Sequence, residues 1–273
     1  MTSAPRLGRR GLAALRAQLS DRDVAVVSSV ADFRFLTARQ LERLHFASPA
    51  ASSATSARVA RRVLSRLSRD RLLVRLERRV GGVRAGSASF VYALGPVGQR
   101  LLDPEATRPR RHEPSTTFLL HALAVADVYV GLVAAERAGR VEISQYQTEP
   151  RCWRRYPTLA GEHWLKPDLF VVLLAGDFEH HAFVEVDCGS EHLPALLRKC
   201  RQYEAYYRAG IEQVRRGLFP RVVWLMNEPR RAERLRAAIR QEARLSDEVY
   251  AVGCPAGAVD LLTAADTSRE VPA

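Results

Sequence analysis

Two lysines and three carboxylates form the most chemically suggestive group in this sequence. Lysine occupies only two of the 42 basic positions, Lys166 and Lys199. The sequences Pro167-Asp168 and Glu185-Val186-Asp187 lie between them. Because arginine supplies almost all other positive charge, a retained lysine indicates a need for a compact ammonium beside a carboxylate or a reacting phosphate. Chance placement of two lysines is the alternative explanation.

The carboxylates are predicted to meet because they border a β-hairpin. Strands are indicated at 168–174 and 180–187, and Gly176-Asp177 is suited to the turn between them. If the turn is centred there, the residue numbers of two paired residues on the antiparallel strands sum to about 354. This places Asp168 opposite residue 186, within about one or two positions.

Alternation along the second strand places Glu185 and Asp187 on one face, near Asp168. Three neighbouring carboxylates repel one another, so the cluster predicts either a divalent-metal site or a carboxylate pair with shifted pKa values. A structural ion-pair network is the alternative. The helix predicted over 191–209 carries Lys199, which supplies a positive group for the cluster.

The positive charge of the chain is concentrated in its first 111 residues. They hold 22 Arg against 8 acidic residues, a net charge of +14, whereas residues 112–273 hold 20 basic and 22 acidic residues, a net charge of −2. Clustered positive charge indicates a surface that binds a polyanion such as DNA. An arginine-rich composition without function would have affected both parts alike.

This basic part is predicted to form a winged helix-turn-helix. Helical periodicity appears in three segments, 24–35, 37–46 and 55–73. Thr37 begins the Thr-x-x-Gln pattern of a capping box. Two alternating strands, 72–76 and 90–94, flank a glycine-rich segment and predict the wing.

The third of these helices is predicted to have an apolar side and a cationic side. Val59, Val63 and Leu67 recur every four residues and are expected in the core. In a winged helix the third helix enters the major groove and the wing touches the backbone or the minor groove. The predicted DNA contacts are Arg58, Arg61, Arg62 and Arg66, with Arg84 near the wing tip.

The remainder of the chain predicts a mixed sheet covered by helices. Its helices are predicted at 118–138, 191–209 and 229–243, and its strands at 141–147, 168–174, 180–187 and 221–226. The predicted organisation is a flexible basic N-terminus (1–20), a winged helix (21–103), a linker (104–115), a sheet domain (116–262) and a flexible tail (263–273).

Composition also indicates where the protein is located and which kinds of site it lacks. No apolar run is judged long enough to span a membrane, and the start lacks the pattern of a secretory signal, so a cytoplasmic location is expected. The four cysteines, at 152, 188, 200 and 254, lack metal-ligand spacing and indicate neither a zinc site nor a thiol enzyme.

The residues of the acidic cluster resemble the motif of the PD-(D/E)xK nuclease superfamily. The match consists of Pro167-Asp168, Glu185-x-Asp187, and Lys199 with Gln202 and Tyr203 on the following helix. Asp187 stands where that motif has a lysine, and Lys199 would replace that lysine from the helix. The resemblance implies an α/β (α+β) chain with a restriction-endonuclease-like mixed sheet after the winged helix. It implies catalytic roles for Asp168, Glu185, Asp187 and Lys199.

From about residue 21 to 245, the chain is also similar to the replication-relaxation family of bacterial plasmids and integrated elements. The similar features are the winged helix, the run Leu119 to Val125, Glu149, Lys166-Pro167-Asp168 and Val184-Glu185-Val186-Asp187 followed by Gly189-Ser190-Glu191. The resemblance implies a DNA-binding protein of plasmid replication or relaxation. It would be either a metal-dependent endonuclease or nickase, or a non-catalytic regulator with an inactive nuclease-like domain.

An active site of this type would take Mg²⁺ or Mn²⁺ as its cofactor. Asp168 and Glu185 would bind the metal, with Glu149 as a further candidate. Some RecB-like relatives place a metal-binding histidine at the position of His121, although a core histidine is the alternative. The implied partners are double-stranded DNA at the winged helix and a DNA phosphate at the nuclease-like site. No membrane partner is implied, and a homodimer is left open.

Overall fold

The computed structural model describes residues 8–47, 52–80, 89–103, 114–158 and 161–264. The chain is an α+β protein and divides into two compact units, Met1–Ala126 and Asp127–Ala273. This division lies beyond the predicted linker at 104–115, within a helix that spans Thr116–Arg137. The first part of this helix belongs to the N-terminal unit because Leu119 and Leu123 pack against Val91 there.

The N-terminal unit combines helices with a small antiparallel sheet. Its elements are α1 (Arg9–Gln18), α2 (Asp21–Phe33), β1 (Phe35–Thr37), α3 (Ala38–His45), α4 (Ser53–Arg69), β2 (Leu73–Val80), β3 (Ser89–Leu94) and α5 (Pro96–Leu102). The strand order is β1-β3-β2, with β3 antiparallel to both neighbours. The three predicted helices and both predicted wing strands are present, whereas α1, β1 and α5 were not predicted.

The predicted capping box at Thr37 is confirmed. Its Oγ1 accepts the backbone N–H of Gln40 at 3.1 Å, and the Gln40 side chain accepts the backbone N–H of Thr37 at 2.8 Å. The same Gln40 amide donates to the backbone carbonyl of Leu123 at 2.8 Å. Gln40, in the first turn of α3, therefore also fixes the first part of the long helix onto the N-terminal unit.

Two predictions for this unit are wrong in part. Residues 1–20 were expected to be flexible, but Arg9–Gln18 is helical, with Leu12 and Leu15 half-buried on one side. Val59 was expected in the core but is 37% exposed, because the buried side of α4 is formed instead by Ser56, Ala60, Leu64 and Leu67. The predicted wing tip, with Arg84, lies outside the described residues.

The C-terminal unit is built on a five-stranded mixed sheet. The elements of this part are α6 (Thr116–Arg137), β4 (Glu142–Thr148), β5 (Arg154–Thr158), β6 (Gly161–Leu165), β7 (Leu169–Ala175), β8 (Phe178–Asp187), α7 (Leu193–Arg208), α8 (Ile211–Arg216), β9 (Arg221–Met226), α9 (Pro229–Gln241), β10 (Tyr250–Gly253) and α10 (Ala258–Thr263). The order is β10-β9-β8-β7-β4, while β5 and β6 form a separate pair. Strands β8, β9 and β10 are parallel, and β7 is antiparallel to β8 and β4.

The β7–β8 hairpin places the acidic residues close to the predicted register. Leu169 pairs with Val184 and Ala175 with Phe178, so partner numbers sum to 353 instead of the predicted 354. Continuing this register by one residue brings Asp168 opposite Glu185. The turn uses Gly176 with φ of 57°, a left-handed conformation that glycine adopts without steric cost.

One side of this sheet packs against α7 and α9. Phe170, Phe183 and Trp224 alternate with residues of the opposite face and share one apolar cluster with Tyr203 and Leu235. Asp168, Glu185 and Asp187 continue the same alternation, so they emerge on the helix-covered face at the end of their strands. Burial of this cluster fixes the register, because a slip by one residue would move the apolar side chains to the other face.

Helix α6 corrects the expectation about apolar runs. It has 22 residues and a mean hydropathy of 2.0 in its most apolar window, long and apolar enough by composition to span a membrane. Half of that window is buried within the protein. A buried core helix has the same length and composition, so α6 is weak support for a membrane span.

Candidate functional site

Asp168, Glu185 and Lys199 come together at the end of the central strands. Lys199 lies on α7, the helix that follows β8, and its Nζ atom donates to Oε2 of Glu185. Asp168 lies just before β7, where its Oδ2 accepts the backbone N–H of Val186 at 2.7 Å. Glu185 is 1% exposed and Asp168 is 7% exposed. The predicted approach of Lys199 to the acidic cluster is therefore present, and the two carboxylates face it from adjacent strands.

Glu185 has the most perturbed environment of this group. Complete burial raises its pKa to about 8, although the Lys199 ammonium lowers it and the neighbouring Asp168 raises it further. Burial on its own would lower the pKa of Lys199, but the carboxylates of Glu185 and Asp168 raise it above its ordinary value. Lys199 therefore stays charged, while Glu185 takes up a proton more readily than an exposed glutamate does.

Tyr203 completes the contacts of Glu185. Its hydroxyl donates to Oε1 of Glu185, and its ring is fully buried within the sheet–helix core. Burial and the adjacent Glu185 raise the pKa of the Tyr203 hydroxyl well above its ordinary value. Tyr203 therefore both packs in the core and hydrogen-bonds to Glu185. The side chain of Gln202, one position earlier, is exposed.

Asp187 is separated from this group by its own partner. The guanidinium of Arg231, on α9, donates Nε to Oδ2 of Asp187 and a terminal nitrogen to Oδ1 at 3.1 Å. The same guanidinium also donates to the backbone carbonyl of Glu191. Arg231 thus joins the end of β8 to the loop that leads into α7. The N-cap of that helix is His192, which makes no side-chain capping hydrogen bond.

The other two residues predicted as metal ligands are Glu149 and His121. Glu149 accepts the indole N–H of Trp153 at 3.2 Å. His121 lies on the first part of α6, in the N-terminal unit. Over the described ranges, no group of three or more His, Cys, Asp and Glu side chains could hold a metal ion.

The arrangement does not fit a bound Mg²⁺ or Mn²⁺. Hard divalent cations need several oxygen ligands whose lone pairs are not occupied by protein donors. Both oxygens of Glu185 accept hydrogen bonds, from Lys199 and Tyr203, and one oxygen of Asp168 accepts from Val186. The Lys199 ammonium supplies the positive charge that a metal ion would otherwise bring to the cluster.

The predicted DNA contacts on α4 fall into two groups. Arg58, Arg61 and Arg62 are exposed. Arg66 instead donates to Oδ1 of Asp23 at 2.6 Å, and Asp23 is 3% exposed. Burial alone would raise the pKa of Asp23, but the hydrogen bonds from Arg66 and Ser20 lower it below its ordinary value. Arg66 therefore anchors α4 to α2.

A buried ionic network in the C-terminal unit was missed by the sequence analysis. Glu212, on α8, is 0% exposed and accepts Nε of Arg154 at 2.7 Å, the hydroxyl of Tyr206 at 2.9 Å and Nε of Arg216 at 2.8 Å. The Arg154 guanidinium also lies 5.0 Å from the ring centre of Phe170. The network joins the β5–β6 pair to the core of the sheet.

The fold and the site together define the class of this protein. It is a two-unit α+β protein in which a helical unit with a three-stranded sheet precedes a five-stranded mixed sheet. An acidic pair at the ends of the sheet strands is contacted by a lysine from the following helix.

The family comparison identifies the chain within this class. The profile described as replication-relaxation matches residues 27–222, more than half of the 273 residues, so the chain belongs to the replication-relaxation family. Membership indicates a role in the replication or relaxation of plasmid or other mobile-element DNA. No curated protein and no solved structure gives a significant match.

Proposed function

We propose that this protein binds duplex DNA of a plasmid or mobile element through its N-terminal unit, acting as a winged helix-turn-helix. The observation that carries the proposal is the exposed row Arg58, Arg61 and Arg62 on α4. The element order from α2 to β3 supports this proposal, since in a winged helix the helix corresponding to α4 enters the major groove. The net charge of +14 over residues 1–111 favours the same partner.

The internal contacts of this unit support a rigid presentation of α4. The hydrogen bond between Arg66 and Asp23 joins α4 to α2. The side of α4 opposite the exposed arginines is buried and consists of Ser56, Ala60, Leu64 and Leu67. The exposed arginines are thereby held on one side of a fixed helix. Such preorganisation reduces the ordering cost of binding.

For the C-terminal unit we propose a non-catalytic role with a nuclease-like acidic cluster. Lys199 contacts Glu185 next to Asp168, the one observation that favours phosphodiester cleavage as a second candidate function. Against cleavage, Asp187 replaces the motif lysine and is paired with Arg231, and the oxygens of Glu185 already have protein donors. Hydrogen bonds and ion pairs within the protein account for these contacts without a metal.

Replacing Arg58, Arg61 and Arg62 together by alanine is expected to weaken duplex binding by about tenfold or more at low salt, because phosphate contacts are lost. The slope of log K against log salt should fall by up to about 2.7, since each lost phosphate contact contributes about 0.9. Fluorescence anisotropy with a labelled duplex over a salt series measures both quantities.

The matched control is the triple alanine variant of Arg230, Arg234 and Arg240, three exposed arginines of α9. It changes the net charge by the same amount on the other unit and should leave the slope unchanged. If both triple variants lose the same duplex affinity, the loss comes from the change in net charge. That result would contradict a DNA-binding role for α4.

Wild-type protein is expected to leave supercoiled plasmid and single-stranded DNA intact in the presence of millimolar Mg²⁺ or Mn²⁺. A metal that binds only the native state would stabilise the protein and raise its melting temperature. Neither metal is expected to raise it. Agarose gels of wild type, Asp168→Asn and Lys199→Met provide the comparison. Nicking by wild type that both variants abolish would establish the second candidate function instead. Nicking that persists in both would place cleavage away from this cluster.

A further inference from the structure

The β5–β6 pair carries an exposed face that the proposed function does not use. Arg155 pairs across the strands with Trp164, and alternation places both on the side opposite the buried residues Arg154 and Leu165. Continuing the alternation by one residue before β5 and one beyond β6 adds Trp153 and Lys166 to this side. We call these four residues, Trp153, Arg155, Trp164 and Lys166, the tryptophan face.

The two tryptophans of this face have different environments. The Trp164 side chain is 52% exposed, whereas Trp153 packs partly against the core of the sheet. Their ring centres are 6.4 Å apart with an interplanar angle of 71°. Nζ of Lys166 lies 4.5 Å from the ring centre of Trp153. Lys166 therefore covers Trp153, and Trp164 presents a large aromatic surface to solvent beside a cation.

The charged groups around this face include both signs. Arg155 pairs with Glu162 at 3.2 Å, but these side chains are 59% and 63% exposed, and an exposed pair of this kind contributes little. Glu149 accepts the indole N–H of Trp153. Lys166 and Arg155 can therefore turn toward a phosphate backbone at low cost, Arg155 by exchanging Glu162 for a phosphate.

We propose that the tryptophan face binds single-stranded DNA, with an unpaired base stacked on Trp164 and the adjacent phosphates held by Lys166 and Arg155. Single-strand sites combine exposed aromatic rings with neighbouring cations, because every base offers a π face and every nucleotide a phosphate. A base paired within a duplex cannot stack on a side chain in this way. The proposal rests on the proposed function in taking DNA as the ligand, but it concerns a different surface and a different form of DNA.

The test measures the full chain binding to a fluorescein-labelled oligothymidine of about twenty nucleotides and to a labelled duplex by anisotropy. Trp164→Ala is expected to weaken oligothymidine binding by about tenfold, with duplex binding unchanged, because one stacked base contributes about a factor of ten. Trp164→Phe, which keeps an aromatic ring, should recover most of the affinity.

Phe178→Ala is the matched control, since Phe178 is 65% exposed at the β7–β8 turn, at the opposite end of the strands from Asp168. It should bind both DNA forms as wild type does. Oligothymidine should also quench the tryptophan fluorescence of wild type, and this quenching should be smaller in Trp164→Ala.

Failure of this inference and failure of the proposed function give different results. If Arg58, Arg61 and Arg62 are replaced, duplex binding should fall while the quenching by oligothymidine persists. Unchanged oligothymidine affinity in Trp164→Ala, or equal losses in Phe178→Ala, would overturn the single-strand site and leave the duplex proposal intact.

Discussion

Replacing Glu212 by alanine is expected to destabilise the C-terminal unit by about 3–5 kcal/mol, the cost of leaving a buried charge without its partner. Glu212 is fully buried and accepts from Arg154, Tyr206 and Arg216. Without it, the Arg154 guanidinium, whose side chain is 7% exposed, keeps only neutral acceptors. Urea unfolding followed by tryptophan fluorescence measures this loss. All three tryptophans lie in the C-terminal unit, so the signal reports that unit.

Glu212→Gln separates the loss of charge from the loss of shape. It keeps an oxygen acceptor of the same size, so its cost should be clearly smaller than that of the alanine variant. Glu204→Ala is a useful comparison, because Glu204 is also buried but its partners are neutral Ser246 and Arg208, which is 65% exposed and can be rehydrated. A cost below about 1 kcal/mol for Glu212→Ala would contradict the structural role of the network.

The network also has an expected signature in acid. Burial alone would raise the pKa of Glu212, but the hydrogen bonds from Arg154 and Tyr206 lower it below its ordinary value. A lowered folded-state pKa contributes stability above the unfolded-state value, and that stability is lost as the pH falls through the folded-state value. Glu212→Gln should therefore lose less stability than wild type on acidification.

Local patterns predicted the elements that carry the acidic cluster. Strand β9 was predicted at its observed bounds, 221–226, and the β7–β8 register was wrong by one position, within its stated error. The hairpin could be counted because its turn has only two residues between two regular strands. The approach of Lys199 to Glu185 followed from the next helix, since it lies fourteen residues further along the chain.

The partners of Asp187 and Arg154 could not be predicted in the same way. Arg231 reaches Asp187 from 44 residues away, and Glu212 reaches Arg154 from 58 residues away. No local periodicity encodes such distant pairs. Helix α8 itself has only six residues between Gly210 and Gly217, both with positive φ, which is too short to show amphipathic repetition. The β5–β6 pair was not among the predicted strands, because its outward face carries Arg155 and Trp164 instead of a simple polar pattern.

As the pH rises from about 5 to 8, the free energy of unfolding of the wild-type protein is expected to fall more than that of Glu185→Gln. Burial raises the pKa of Glu185 in the folded state to about 8, so the folded protein holds a proton that the unfolded chain has released. A raised pKa of an acid contributes stability at low pH, and that contribution declines as the pH rises through the folded-state value. Glutamine cannot ionise, so the two proteins should diverge by about 2–4 kcal/mol over this window.

Lys199→Met is expected to extend that decline to higher pH. In wild type the ammonium lowers the pKa of Glu185, so the loss should level off above about pH 8. Without the ammonium the pKa of Glu185 rises further, and the variant should continue to lose about 1.4 kcal/mol for each pH unit up to its new folded-state pKa. Urea unfolding at about pH 8.5 and 9.5 compares the two slopes, with Lys166→Met as the control lysine. Parallel slopes for wild type and Lys199→Met would mean that Lys199 and Glu185 do not titrate as a pair. The acidic cluster would then lack the lysine contact on which both its structural and its nuclease-like interpretations depend.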